Sequence, residues 1–133
     1  MTYLATIVLA TVLLSASQIA LAQGLTAVQP LPGYVCMRLN LTHDQAMDRS
    51  LQVPVFEGPS SSSVKVGNAS AVIIVNSHAR TQNGFQEILF PDGRPAWIAV
   101  NWLMPFATRD FPNSHCTPSL MSNGKPGFKT SVN

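Results

Sequence analysis

The chain has 133 residues, of which 11% are charged, and its formal net charge at pH 7 is +2. Its lysines and arginines are scattered, so no segment neutralises several phosphates at once, and the sequence predicts no nucleic-acid binding. The length suits one domain with a modest core and short flanking arms.

Residues 1–22 are expected to be a signal peptide. Residues 6–14 form an apolar run of the length found in signal-peptide cores, and Ala20-Leu21-Ala22 has the small-x-small pattern that signal peptidases accept. A membrane-spanning helix needs about 20 apolar residues. This run is shorter, because serine and glutamine residues follow it directly. We therefore expect a periplasmic or secreted protein with no stable membrane insertion after signal removal.

Residues 23–50 are predicted to form an extended N-terminal arm. Two prolines and Gly33 favour extended chain, and the arm ends in a short apolar segment, residues 34–37. Thr42 followed by Gln45 is a capping-box pattern, which predicts a turn or two of helix over residues 42–49.

Residues 51–107 are predicted to form an all-β body. Alternation of apolar and polar residues predicts two strands separated by a serine-rich loop, and the most β-branched run of the chain predicts a central strand. The loop and the three strands correspond to residues 58–63 and to residues 53–57, 64–67 and 71–75.

A β-hairpin is expected at the centre of this body. Residues 85–90 and 95–100 are apolar and β-prone, and they flank Pro91-Asp92-Gly93-Arg94, in which Pro sets φ and Gly can take a positive φ. A single 3₁₀ turn at residues 101–103 and a short strand at residues 104–106 then close the body. The core is expected to contain Phe56, Val75, Ile88, Trp97 and Leu103.

Two cysteines, Cys36 and Cys116, lie on either side of this body. An even number of cysteines in an exported chain predicts a disulfide, which here would tie the two arms together. Two alternatives are a nucleophilic cysteine assisted by a histidine, namely His43, His78 or His115, and a metal pair at His115 and Cys116. The metal pair lacks a second closely spaced pair of ligands.

Residues 108–133 are predicted to be a largely irregular C-terminal arm, because few apolar residues remain beyond Cys116 to offset the ordering entropy.

The body resembles bacterial SH3-like domains. Residues 53–67 match the opening of the family, an apolar alternation, a Gly-Pro-Ser turn and an apolar-polar-apolar-Gly strand. Phe85-Gln86-Glu87-Ile88 resembles the strand that follows the distal loop of the family, which commonly reads Asn/Asp-Gly-aromatic-x-x-Val. Asp92-Gly93-Arg94-Pro95-Ala96-Trp97-Ile98 resembles its Asp-Gly-Arg-x-Gly-Trp-Val signature, and Asn101-Trp102-Leu103 resembles its closing aromatic-Leu. Ala96 stands where the family usually has glycine, and Pro54 where it often has a polar residue.

The resemblance implies a small SH3-like barrel of five to six strands that binds a cell-wall (peptidoglycan) peptide or a protein partner in the envelope. The candidate ligand-binding residues are Trp102, Phe56 and Arg94: Trp102 because small barrels often expose an aromatic residue on this 3₁₀ turn, Phe56 as an aromatic that is also expected in the core, and Arg94 because it can pair with a carboxylate.

Three functions are consistent with the sequence. The first is a non-catalytic binding module, the second a structural or assembly subunit of an envelope complex without a ligand pocket, and the third a Cys-dependent envelope enzyme. The chain has no Gly-x-Ser-x-Gly elbow, phosphate-binding loop or His-Glu-x-x-His helix. Nothing in the sequence brings its two glutamates, Glu57 and Glu87, together as a glycosidase pair. We therefore expect no enzyme activity, no catalytic residue, no cofactor and no metal.

Overall fold

A computed structural model describes residues 24–108 and 111–132, so the expected signal peptide lies outside the described residues. These residues form an all-β structure with one short helix and one 3₁₀ turn, which confirms the predicted fold class. The strands are β1 Ala27–Pro30, β2 Tyr34–Leu39, β3 Pro54–Phe56, β4 Lys65–Asn68, β5 Val72–Asn76, β6 Phe85–Leu89, β7 Pro95–Ala99, β8 Leu103–Pro105, β9 Ser114–Met121 and β10 Pro126–Val132. The helix is α1 His43–Met47 and the 3₁₀ turn is Val100–Trp102.

The strands form two antiparallel sheets rather than one barrel. The larger sheet has seven strands in the order β4-β3-β7-β6-β5-β2-β8, and the smaller has three in the order β1-β9-β10. Among the described residues no pairing joins β4 to β8, so the larger sheet stays open where a closed barrel of five to six strands was expected. The count differs partly because β2, predicted to lie in an arm, pairs with both β5 and β8.

The predicted hairpin is confirmed in β6 and β7, which pair from Phe85 opposite Ala99 to Leu89 opposite Pro95. The N–H of Gly93 donates to the carbonyl of Phe90, and Gly93 has a φ of 91°. This is a turn closed by a glycine in the left-handed region, a common hairpin connection. The turn chemistry that the sequence displays therefore sets the register of the sheet around it.

The capping box at the start of α1 is also confirmed. The hydroxyl of Thr42 accepts from the N–H of Gln45, and the side chain of Gln45 accepts from the N–H of Thr42. The helix has no buried residue, so it lies on the surface of the domain. The described part of the chain includes no helix with the length and hydropathy needed to cross a bilayer.

One face of the larger sheet, which we call the inner face, encloses the hydrophobic core. The buried members of the core are Val53, Val55, Ile73, Val75, Ile88, Ala96 and Ile98, and half-buried side chains such as Trp102 and Leu103 pack against them. Val75 and Ile88 are core residues as predicted. Phe56 and Trp97 are not members of this cluster: each is next in sequence to a core residue, and successive strand side chains point to opposite faces. Their volume suggested burial, but the alternation places them on the outer face.

The smaller sheet covers part of that outer face, and the Cys36–Cys116 disulfide joins the two sheets as predicted. The predicted irregular arm at residues 108–133 is wrong over β9 and β10, which pair from Ser114 opposite Val132 to Leu120 opposite Pro126. Few apolar residues are needed here, because the disulfide anchors β9 and main-chain hydrogen bonds to β1 and β10 satisfy its backbone.

Candidate functional site

Trp102 lies on the 3₁₀ turn, as predicted, but packs against the hydrophobic core. Its side chain is only half-buried, so part of the indole remains accessible. Trp102 thus contributes to the packing of the domain whether or not it contacts a ligand. Substitution of this residue would change stability as well as any binding.

Phe56 lies on the outer face, on the other side of the sheet from the core that Trp102 contacts. It pairs with Trp97 across β3 and β7 and packs edge-on against Phe85, with ring centroids 5.9 Å apart and an interplanar angle of 81°. All three side chains are half-buried. The structure therefore separates Phe56 from Trp102 and groups it with two other aromatic residues.

Arg94 sits at the end of the hairpin turn, and its side chain is 64% exposed. Its Nε donates to the carboxylate of Asp92 over 2.6 Å. A cleft beside it is lined by Arg94 and Glu57 over an apolar floor that includes Val66, Phe90 and Ala96. Phe56 is not among the residues that line this cleft, and the side chain of Arg94 is already paired with Asp92 in the turn.

The Asp92 carboxylate makes the turn sensitive to acid. The backbone N–H of Arg94 donates to Asp92 over 2.9 Å, and this bond, with the Arg94 side chain and Lys125, holds the pKa of Asp92 below its ordinary value of 3.8. A carboxyl whose pKa is lower in the folded chain stabilises the fold above the unfolded pKa, and this contribution is lost as the pH falls through the folded pKa.

We expect Asp92→Asn to be less stable than the wild type near neutral pH, and the difference to shrink below about pH 4 as the wild-type carboxyl becomes protonated. Urea unfolding of both proteins over a pH series measures it. A difference that stays constant down to the acid limit would contradict the role given to the carboxylate.

An uninterrupted row of side chains crosses the outer face at right angles to the strands; we call it the outer row. The recorded pairings place Glu87 opposite Trp97 and Trp97 opposite Phe56, and they place Tyr34 opposite Asn76. Continuing the β5–β6 register by one residue from Val75 opposite Ile88 brings Asn76 beside Glu87. The row is Tyr34, Asn76, Glu87, Trp97 and Phe56, and at about 4.8 Å per strand it spans about 19 Å.

The side chains of the outer row are half-buried, and three of them have polar groups that are not used within the fold. Across residues 24–108 and 111–132, no hydrogen bond is recorded to the Tyr34 hydroxyl, the Glu87 carboxylate or the Trp97 indole N–H. No polar side-chain atom in the described chain is both buried and unsatisfied. These groups therefore face solvent, where a ligand can reach them.

The neighbouring row on the same face is covered. Cys36 pairs with Ile74 and Ile74 with Leu89, and both Cys36 and Ile74 are buried. Between this row and β10 lies an apolar cavity of about 140 Å³, lined by residues that include Ile74, Leu89 and Phe128. The smaller sheet thus covers one row of the outer face and leaves the next row accessible.

The other chemistry considered for the sequence has no assembled site in this structure. Both cysteines are in the disulfide, so neither presents a thiolate in this state. In the described ranges, no three His, Cys, Asp or Glu side chains come close enough together to hold a metal ion. Glu87 lies in the outer row whereas Glu57 lines the cleft beside Arg94.

Comparisons of the chain with protein-family models, with curated proteins and with solved structures found no match. The resemblance to bacterial SH3-like domains therefore remains a prediction.

Sequence reasoning identified Phe56 but not its partners in the outer row. Glu87, Trp97 and Tyr34 come from three different strands, and only the strand register brings them together. The hairpin turn offered a partial signal, since two residues at either side of a fixed turn can be paired by counting outward from it. Counting outward from Leu89 opposite Pro95 places Glu87 opposite Trp97.

Proposed function

We propose that the chain is an exported, non-catalytic binding module of the bacterial cell envelope, related to SH3-like domains, whose ligand is a peptide of the cell wall. The outer row is the surface that contacts this ligand. The expected localisation is the periplasm or the cell exterior. The disulfide between Cys36 and Cys116 is compatible with such an oxidising compartment.

The observation that supports a binding role is the accessible outer row with its unused polar groups. Aromatic side chains such as Trp97 and Phe56 combine a large apolar surface with little conformational freedom, and they are enriched where proteins bind partners. A core aromatic residue would turn inward, as Trp102 does. Three aromatic residues that remain half-buried on the opposite face are better explained by a ligand than by the packing of the core.

The strands of the outer row argue for recognition through side chains. Each of β3, β7, β6, β5 and β2 has a neighbour on both sides in the sheet. In the middle of the row, β6 and β7 pair with strands on both sides, so a peptide cannot add there as a further strand. A ligand on the outer row has to contact aromatic faces and the polar groups between them.

The test is sedimentation of the protein with purified, insoluble peptidoglycan at several salt concentrations. We expect the wild type to sediment, including at about 300 mM NaCl, where weak ionic contacts between exposed groups are largely screened. Trp97→Leu keeps an apolar side chain on the outer face but removes the indole, and we expect it to reduce the bound fraction strongly. Its thermal midpoint should remain close to that of the wild type.

The control is Phe111→Leu, which changes an exposed aromatic residue outside the outer row. It should sediment like the wild type. If the wild type stays in the supernatant, the wall is the wrong ligand. If Trp97→Leu sediments as well as the wild type, the outer row is the wrong surface.

A further inference from the structure

We propose that the outer row recognises an aliphatic primary ammonium group on the bound peptide, held between the carboxylate of Glu87 and the indole of Trp97. This inference rests on the proposed function and names the part of the ligand that the site reads. The group is the side-chain amine of a lysine or of a similar diamino acid. Wall peptides that carry such a residue with a free amine present this group.

The geometry places an anion beside the best aromatic partner for a cation. Glu87 and Trp97 are directly opposite each other on neighbouring strands, where Cβ atoms lie about 4.5–5.5 Å apart. An ammonium group over the face of a tryptophan is attracted by the ring quadrupole, and a carboxylate at its side can accept a charge-assisted hydrogen bond. Phe56 on the far side of Trp97 extends the apolar surface for the aliphatic part of such a side chain.

Charge complementarity favours a cationic occupant over an anionic or neutral one. Glu87 is the only charged member of the outer row, and the only salt bridge among the described residues joins Arg94 to Asp92. Within residues 24–108 and 111–132, no cationic side chain is at salt-bridge distance from this carboxylate.

Two other carboxylates accept hydrogen bonds within turns of the chain itself. Asp48 accepts from Ser50, and Asp92 accepts from Arg94. Within the described residues the carboxylates of Asp44, Glu57 and Glu87 accept no hydrogen bond, and of these three only Glu87 lies beside Trp97 in the outer row. A ligand amine would supply the missing donor.

The first experiment changes the ligand and leaves the protein intact. Peptidoglycan is treated with acetic anhydride, which converts its free primary amines into neutral amides, and binding isotherms are compared for treated and untreated wall. We expect acetylation to weaken binding about fivefold or more, since an ion–π contact and an exposed ion pair are together worth about 1 kcal/mol, which is about fivefold in affinity.

The second experiment uses the two glutamates as a matched pair. Glu87→Gln keeps the size of the side chain and removes its charge. Since only the ion pair is lost and the indole of Trp97 remains, we expect about a twofold loss of affinity for untreated wall and the same affinity as the wild type for acetylated wall. Glu57→Gln makes the same change in the cleft beside Arg94 and should bind like the wild type. A short peptide containing one lysine, compared with the same peptide containing Nε-acetyl-lysine, provides a soluble probe for calorimetry.

The outcomes separate this inference from the proposed function. If wild-type protein does not bind untreated wall, the proposed function fails. If the wild type binds and Trp97→Leu abolishes binding, the outer row is the correct surface. If acetylation and Glu87→Gln then leave the affinity unchanged, the ammonium group is not the part of the ligand that the outer row binds. Binding that survives acetylation and is competed by soluble glycan fragments would overturn the inference in favour of a sugar ligand.

Discussion

Loss of the Cys36–Cys116 disulfide is expected to lower the free energy of unfolding by about 4 to 5 kcal/mol, because the two cysteines are 80 residues apart. A cross-link of that span removes much of the conformational freedom of the unfolded chain. Small domains commonly have about 5 to 15 kcal/mol of stability in total. Reduction should therefore bring the protein close to, or beyond, its unfolding midpoint at physiological temperature.

The loss of stability on reduction is expected to appear first in the smaller sheet. The disulfide joins β2 in the larger sheet to β9 in the centre of the smaller sheet. The sheets are otherwise held together by a modest apolar contact that still contains a cavity of about 140 Å³. Amide hydrogen exchange in β9 and β1 should accelerate on reduction before exchange in β6 and β7 does.

Urea unfolding of the oxidised and reduced wild type measures the effect, with Cys36→Ala/Cys116→Ala as a second form of the open chain. The two open forms should agree to within about 1 kcal/mol, because the alanine pair adds only the loss of two sulfur atoms. If reduction costs less than about 1 kcal/mol, the sheets hold each other without the disulfide, or the unfolded chain is already compact.

Ile98→Ala is expected to lower the free energy of unfolding by about 3 to 4 kcal/mol, within the range for large-to-small changes in a packed core. Ile98 is fully buried at 0% exposure and lies in β7, the second strand of the central hairpin. Its neighbours in the sheet are fixed on both sides, so the surrounding structure has little freedom to collapse into the space left behind.

A graded series tests the mechanism. Ile98→Val removes one methylene group and should cost about 1 kcal/mol. Val64→Ala removes apolar atoms from a side chain that is 66% exposed, and it should change stability by less than about 0.5 kcal/mol. The denaturant m-value should stay constant throughout. An Ile98→Ala cost similar to that of Val64→Ala would mean that Ile98 is not in the core.

The elements with local signals were predictable from the sequence. The Pro91-Asp92-Gly93-Arg94 turn and the Thr42 capping box each depend on residues within a few positions of one another, so local chemistry specified them. The disulfide was predictable because only two cysteines exist. The serine-rich loop and the 3₁₀ turn also appear where expected.

The faces of the strands were not predictable in the same way. In β7 the alternate sets Ala96 with Ile98 and Pro95 with Trp97 are both apolar, so the binary pattern does not decide which set faces the core. Volume favoured Trp97, but the pairing with β6 and β3 places the smaller residues inside. The candidate site depends on this choice, which is why only Phe56 of the outer row was identified.

The C-terminal hairpin had a signal that its low apolar content obscured. Asn123-Gly124 is a dipeptide favoured in tight hairpin turns, and Gly124 has a φ of 77°. Of the strands it connects, β10 is largely exposed, whereas most residues of β9 are buried or half-buried. Their stability comes from a partner strand and a cross-link distant in sequence, neither of which a local window contains.

The pairing of β1 with β9 constrains the order in which the protein can fold. Ala27 has Met121 as its partner, so the first described strand must wait for one of the last. Because chains are synthesised from the N-terminus and long-range pairings form slowly, β6 and β7 can form their hairpin well before the smaller sheet exists. A chain that ended before Cys116 would lack the disulfide and the partner of β1, and it would leave Cys36, Ile74 and Leu89 uncovered. The covered row of the outer face is therefore shielded from water only in the last step of folding. Until then it is an exposed apolar surface through which incompletely folded chains can associate.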